Sequence, residues 1–394
     1  MFERSLSALL EHHLARGKSV LLLGPRQTGK TTLLGSLPAD LTIALAEPRE
    51  RQRFERDPSL LRDQVLALGK RRPLVVIDEV QKVPELLDSA QILIDEGRVQ
   101  LVMTGSSARK LRRQGGVNLL PGRVVNLRLD PLTFEENLPP TLTEALVDGA
   151  LPAIRDQRAA RDREEDLRSY VETYLEEEVR QEALVKRMAP FGRFLELAAL
   201  ESGHIVNFSA VASDIGVSAP TVQGYYEILV DCLVAERIDP IVRSATRKKL
   251  TRSSRYLLFD LGVRRLAAGE GDRLGPERLG ELFEQLVGVE LLRLGRLRSS
   301  RIRLRFWRDP DGPEVDWVVE RQGRFFPIEV KWSERPNSSD ARHLSVFLDE
   351  HDRASRGFIV CRCPRPLQID DRVVAVPWQS LADPKSTLRR AVGV

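Results

Sequence analysis

The chain has 394 residues, of which 42% are hydrophobic and 30% charged, with mean hydropathy -0.26. At roughly 100–200 residues per domain this predicts two to four globular domains, and no apolar run reaches the ~20 residues a membrane helix needs. Net charge is +4 with a pI near 9.0, too mildly basic to name a partner by itself. The N-terminus lacks a signal-peptide apolar region, so a cytoplasmic protein without membrane contact is expected. Three cysteines, Cys232, Cys361 and Cys363, fit buried thiols better than a chelate, because alternate residues of a strand face opposite sides.

Up to about Leu129 the chain alternates apolar strand-like runs with helical patterns: Ser19–Leu23, Leu41–Leu45, Leu74–Asp78, Val99–Thr104 and Val124–Leu129. That alternation predicts a parallel α/β sheet. Gly24-Pro25-Arg26-Gln27-Thr28-Gly29-Lys30-Thr31 fits G-x-x-x-x-G-K-[ST], with a strand before it and a helix, Thr31–Leu37, after it. Such a loop wraps phosphates with backbone N–H groups. Lys30 would neutralise the β- and γ-phosphates of ATP, and Thr31 would ligate Mg2+. Thr32 completes the nucleotide-binding run.

The run Leu74–Asp78 ends in two carboxylates. Asp78 is the expected Mg2+ partner, and Glu79 the general base that polarises the attacking water. Val99–Thr104 leads into Gly105-Ser106-Ser107 and puts Thr104 where it would orient that water. Residues Ala108–Leu120 read as helical around Gly115-Gly116, and Gly122-Arg123 precede the strand Val124–Leu129.

This order of motifs resembles an AAA+ ATPase. The resemblance implies an arginine finger at Arg123, acting in trans on a neighbour's ATP, with Arg109, Arg112 and Arg113 as competitors. It therefore implies a homo-oligomer, a ring or hexamer. More narrowly, Gly24-Pro-Arg-Gln-Thr-Gly-Lys-Thr-Thr32 and Asp78-Glu-Val-Gln81 resemble the G-P-R-Q-x-G-K-T-T and D-E-x-Q signature of a family of prokaryotic AAA+ ATPases that usually carry a nuclease-like C-terminal domain. Pro131–Glu135, Gly149–Arg155 and Tyr170–Val179 resemble the helical lid of that family.

Phe208–Ile215, capped by Ser209, the turn Gly216–Ser218, and a helix from Pro220 to Leu229 followed by a strand Leu233–Ile238 form a winged helix-turn-helix pattern. In a DNA-binding version Ser218, Thr221, Gln223 and Tyr225 face outward. Winged helices in AAA+ chains also serve as lids and protein contacts. Basic clusters occur at Lys110, Arg112 and Arg113; at Arg243, Arg247, Lys248, Lys249, Arg252 and Arg255; and at Arg293, Arg296, Arg298, Arg301, Arg303 and Arg305. Such patches track phosphates or are a solvated arginine-rich surface.

Past about Gly280 a helix precedes short strands at Ile302–Trp307, Val315–Glu320, Phe325–Lys331 and Gly357–Cys361. Asp316, then Glu329-x-Lys331 on the next strand, bring two carboxylates and an ammonium together. Those are the groups of metal-assisted phosphodiester cleavage. The pattern resembles the PD-(D/E)xK nuclease fold, with Glu314 preceding Val315 and Asp316 where some enzymes have Pro-Asp. That resemblance implies a metal ligand on the preceding helix: Glu284 in Gly280-Glu-Leu-Phe-Glu284, with Glu290 in reserve.

The expected architecture is thus an α/β protein: an AAA+ P-loop core over 1–130, a helical lid over 131–190, a winged helix over 191–255 and a PD-(D/E)xK-like domain over 256–394. The expected function is an oligomeric ATPase that binds and remodels or translocates duplex or branched DNA, with a Mg2+-dependent nuclease-like C-terminal domain. The alternative is an ATP-dependent regulatory switch with neither motor nor nuclease activity. A protein remodeller is disfavoured because no aromatic-hydrophobic pore loop is evident.

Overall fold

A computed structural model describes residues 2–107, 122–173, 188–242, 253–298, 302–309 and 312–394. Arg109, Lys110, Arg112 and Arg113, the expected helix 108–120, residues 174–179 of the expected lid, the basic stretch 243–252 and Arg301 lie outside the described residues. The chain divides into two compact units. One comprises Glu3–Asp130 with Ile228–Val234, the other Pro131–Glu227 with Ala235–Val394.

The first unit is built on a five-stranded parallel sheet, β1 (Ser19–Leu23), β2 (Leu41–Ala44), β3 (Leu74–Asp78), β4 (Gln100–Gly105) and β5 (Val124–Arg128), in the order β2-β3-β4-β1-β5. A parallel sheet covered on both faces needs apolar residues on both, and every residue of β1 is buried. Leu21, Ile43, Val75, Ile77, Leu101 and Met103 meet Phe54, Leu61, Leu86 and Leu93 in one core. Because β4 lies between β3 and β1, the carboxyl ends of these three strands sit side by side. That is the edge where ligands bind in open parallel sheets.

The second unit carries the helices Leu142–Asp148, Pro152–Asp156, Ala160–Tyr170, Met188–Leu200 and Phe208–Ile215. The helix Ala219–Asp231 follows, and then an antiparallel pair, β6 (Ala235–Ile238) with β7 (Arg255–Leu258). The cap of Phe208–Ile215 is Asn207, whose Oδ1 accepts from Ser209 N and Ala210 N at 3.1 and 3.2 Å. The expectation of Ser209 is corrected: a side-chain oxygen one residue outside the helix reaches these first free N–H groups, whereas Ser209 already lies within it. Tyr225 is also corrected. Its helix turns it inward onto Phe191 and Phe194, ring centroids 5.1 and 5.2 Å away, while Ser218 and Gln223 are exposed.

The rest of this unit is a six-stranded sheet in the order β12-β13-β11-β10-β9-β8. It comprises β8 (Arg303–Arg308), β9 (Glu314–Arg321), β10 (Arg324–Val330), β11 (Gly357–Cys361), β12 (Leu367–Gln368) and β13 (Val373–Pro377). β8, β9 and β10 form an antiparallel meander; β11 joins β10 in parallel, and β13 joins β11 in parallel. The β9–β10 turn places Gln322 and Gly323 at φ 48° and 79°, the left-handed pair a two-residue hairpin requires. The long helix Pro276–Arg296 covers one face, packing Phe283, Leu286 and Val287 with Trp317, Val319 and Ile328. Arg342–Glu350 covers the other, where Leu344 and Phe347 meet Val315, Val318 and Ile359.

Register between β8 and β9 slips between Arg305 and Trp307, so Val315 and Val318, three apart, pack in the same core. The extra residue opens β9 at Asp316–Trp317, as bulges beside functional sites often do. All three cysteines are buried. No helix among the described residues is long and apolar enough to cross a membrane.

Candidate functional site

The loop after β1 is shaped by its glycines and one strained residue. A Cβ on Gly24 would lie 2.3 Å from Leu129 O, so only glycine lets the loop pass there. Gly29 at φ 94° and Gln27 at φ 58° are both left-handed, a backbone turn that gathers N–H groups into an anion-binding concavity. Thr28 is buried and donates to Pro25 O at 2.9 Å, while Gln27, Thr31 and Thr32 are exposed. Lys30 Nζ donates to Gly24 O and Pro25 O, each at 2.8 Å. Burial pulls the Lys30 ammonium down to about 8, against the raising effect of Glu79 and Asp78. It therefore sits in the loop as a charge only partly compensated by carbonyls.

The carboxyl ends of β3 and β4 complete the site. Thr31 Oγ1 donates to Asp78 Oδ2 at 2.9 Å, and Thr104 Oγ1 donates to Asp78 Oδ1. The same Thr104 oxygen accepts from Glu79 N at 3.0 Å. Glu79 itself is left-handed at φ 60°, a conformation non-glycine residues adopt only when held. Gln81 Nε2 holds the other end, donating to Glu79 Oε2 at 2.6 Å and to Ser106 Oγ at 2.9 Å. Gln81 and Ser106 were not among the expected site residues, although Gln81 ends the Asp78-Glu-Val-Gln81 motif. The hydroxyl of Thr31 and the carboxylate of Asp78 are hard oxygen donors that suit Mg2+.

Arg123 stands at the entry to β5, and its Nε donates to Asp95 Oδ1 at 2.7 Å. Both side chains are a third or more exposed.

In the second unit the expected nuclease residues lie close together, and each has at least one hydrogen-bond or ion-pair partner. Asp316 Oδ2 accepts from Val330 N at 2.8 Å. Glu329 Oε1 pairs with Lys331 Nζ at 2.7 Å, while its buried Oε2 has no hydrogen-bond partner among the described residues. Glu284 Oε1 pairs with Arg255 at 2.5 Å. Burial pushes Glu284 up to about 8, helped by the Asp316 charge and opposed by Arg255. Burial likewise raises Asp316, against the Val330 N–H bond. Glu329 rises well above the carboxylate range through burial and the Asp316 charge. Burial alone would lower Lys331, but Glu329 outweighs it and the ammonium is raised. Among the described residues no group of three or more His, Cys, Asp or Glu side chains is disposed to hold a metal ion. One oxygen of each carboxylate has an N–H, ammonium or guanidinium partner, and Glu329 Oε2 is left without one among the described residues. Glu290, the reserve, is wholly buried, and its Oε1 accepts from Phe134 N at 2.7 Å.

Two arginines expected in basic patches are buried. Arg255 is 5% exposed, and Arg293 is 3% exposed, with its guanidinium donating to Leu132 O and Phe259 O. The strand and helix that carry them face inward there. Arg296 and Arg305 pair with Glu236 and Glu320.

Residues 16–138 match the family model of an AAA domain, so this segment is an AAA-type P-loop domain. Residues 140–273 and 279–381 match two domains of unknown function (DUF8612 and DUF4143). The uncharacterized proteins Mb2031c of Mycobacterium bovis and Rv2008c of Mycobacterium tuberculosis are each 28% identical over 379 residues, 95% of this chain and 83% of theirs. Among solved structures, the Pif1 helicase from Candida albicans is 16% identical, with 42% of this chain and 47% of that one covered, at a TM-score of 0.24. Protein VC1899 from Vibrio cholerae is 13% identical, with 95% and 98% covered, at a TM-score of 0.23. At these scores neither structure bears on fold or function.

Proposed function

We propose that this chain is an ATPase that binds ATP at residues 24–32, hydrolyses it, and uses the cycle to act on DNA. One observation carries the reading: Thr31, Asp78, Thr104 and Glu79 form a single hydrogen-bonded cluster beside the loop. Lys30 supplies the cation that leaves its two carbonyls for the β- and γ-phosphates. Thr31 and Asp78 would hold Mg2+, which neutralises phosphate charge when bound. Glu79 takes the proton of the attacking water, oriented by Gln81 and held at its N–H by Thr104. Arg123, half-buried and paired among the described residues with the surface carboxylate of Asp95, supports a finger supplied to a second copy of the chain, and hence a homo-oligomer.

DNA is the proposed partner because the helices Phe208–Ile215 and Ala219–Asp231 support a helix-turn-helix reading with Ser218 and Gln223 exposed at the start of the second, and because the stretch 243–252 is basic. Between a motor with a nuclease domain and a switch without cleavage, the pairing of Glu284 with Arg255 favours the switch. Steady-state ATP turnover with no DNA, duplex, forked and four-way DNA tests the reading. Stimulation by any of the three supports DNA coupling. Equal turnover throughout, with no DNA retained by the ATP-loaded protein, contradicts it.

A further inference from the structure

We propose that Arg255 is a built-in cation that takes the place of a divalent metal in the C-terminal acidic pocket, leaving that pocket closed to metal binding. Its NH1 pairs with Glu284 at 2.5 Å and lies 3.4 Å from Asp316 O. Its guanidinium stands 4.5 Å from the Phe306 ring centroid and 5.5 Å from that of Trp317. The side chain is 6% exposed. A guanidinium stays charged at any ordinary pH, and stacking against aromatic faces strengthens as water is excluded.

The backbone cannot easily carry this charge away. Arg255 opens β7 opposite Ile238 and also bridges Ile205, so its strand is fixed on two sides. Elsewhere in the pocket Lys331 holds one oxygen of Glu329 and the Val330 N–H one oxygen of Asp316, while Glu329 Oε2 has no partner among the described residues. Three carboxylates thus face two permanent side-chain cations and a backbone donor. A divalent ion would have to displace Arg255 from Glu284 and strand a buried guanidinium, or sit beside it and be repelled. The inference stands on the pocket alone and is independent of the ATPase reading.

The test uses the full-length, nucleotide-free chain stripped with EDTA and titrated with Mn2+ alone, free Mn2+ being read by electron paramagnetic resonance. Asp316→Asn defines the pocket's share of any binding. Wild type and Asp316→Asn are expected to bind the same number of ions. Arg255→Met is expected to gain one Mn2+ per chain, and Arg255→Met with Asp316→Asn to lose it again. A wild-type chain that binds one more Mn2+ than Asp316→Asn overturns the proposal, as does a folded Arg255→Met chain that gains none. If Arg255→Met does not fold, the comparison of wild type with Asp316→Asn decides alone.

Discussion

Replacing Thr104 with valine separates the hydroxyl from the shape of the side chain. Thr104 is fully buried, so the isosteric valine leaves its packing intact. Two interactions vanish: the bond donated to the Asp78 carboxylate, and the bond accepted from Glu79 N at 3.0 Å. A hydrogen bond to a charged group contributes ~1.5–3 kcal/mol, and an orphaned N–H costs ~1–3 kcal/mol. Thr31 still serves Asp78, so the combined loss should be about 2–4 kcal/mol. Function should suffer more. The left-handed Glu79 loses the anchor at its N–H, and a displacement of about 1 Å in a reacting group costs on the order of 10²-fold in rate. The four tryptophans, Trp307, Trp317, Trp332 and Trp378, all lie beyond residue 300, so fluorescence would miss the effect. Hydrogen exchange at the amides of β3 and β4 reads local opening there, and a phosphate-release assay reads turnover. ATP affinity should stay near wild type, because Thr104 makes no bond to residues 24–32 among its described contacts. Thr104→Ser should recover most of both losses. Wild-type exchange and wild-type turnover in Thr104→Val together refute the reasoning.

The Lys30 ammonium, lowered to about 8, should become fully protonated when phosphates arrive. ATP binding at pH 8 should therefore take up about half a proton, seen by calorimetry in two buffers of different ionisation enthalpy, and affinity should fall about tenfold per pH unit above that range. No proton uptake would place the charge elsewhere. Glu290, pushed up to about 7 by burial against its ordinary 4.5, holds its proton more tightly folded than unfolded. Stability should thus decline as pH rises from about 4.5 to about 7, by on the order of 3 kcal/mol, and Glu290→Gln should flatten that decline in urea titrations. An unchanged slope contradicts it. Arg123→Ala and Lys30→Ala should each be inactive alone, yet mixing them should restore turnover, since an intact loop can then meet an intact finger. Asp95→Ala should not reduce turnover. Mixtures that stay inactive argue against a finger in trans.

The elements around the proposed nucleotide site were legible because the signal is local: a glycine-rich loop between a strand and a helix, and two strand ends that carry its polar side chains. Asp78, Glu79 and Thr104 converge because β4 lies between β3 and β1, which alternating apolar runs suggest but do not order. Gln81 was harder to read, because its role depends on the left-handed turn at Glu79 that swings its amide back. In the second unit the strands were legible and the ties were not. Arg255 reads in sequence as one more residue of a basic stretch. Only the pairing of β7 brings it to Glu284, 29 residues away. Arg293 misled for the same reason: a charged residue on a helix is buried once neighbouring carbonyls are arranged to receive it, and those lie 161 and 34 residues away. Tyr225 was misread because helical period alone did not show that Phe191 and Phe194 cover that face.

Glu79→Gln tests the account most directly. Glutamine keeps the size of the side chain and its contact with Gln81 but cannot accept the proton, and a positioned base contributes ~10²–10⁴-fold. Purified Glu79→Gln protein incubated with radiolabelled ATP and Mg2+, then rapidly gel-filtered, should retain ATP as the triphosphate, with turnover lowered by that range. Wild-type turnover, with only ADP recovered on the protein, would contradict the assignment of Glu79 as the base.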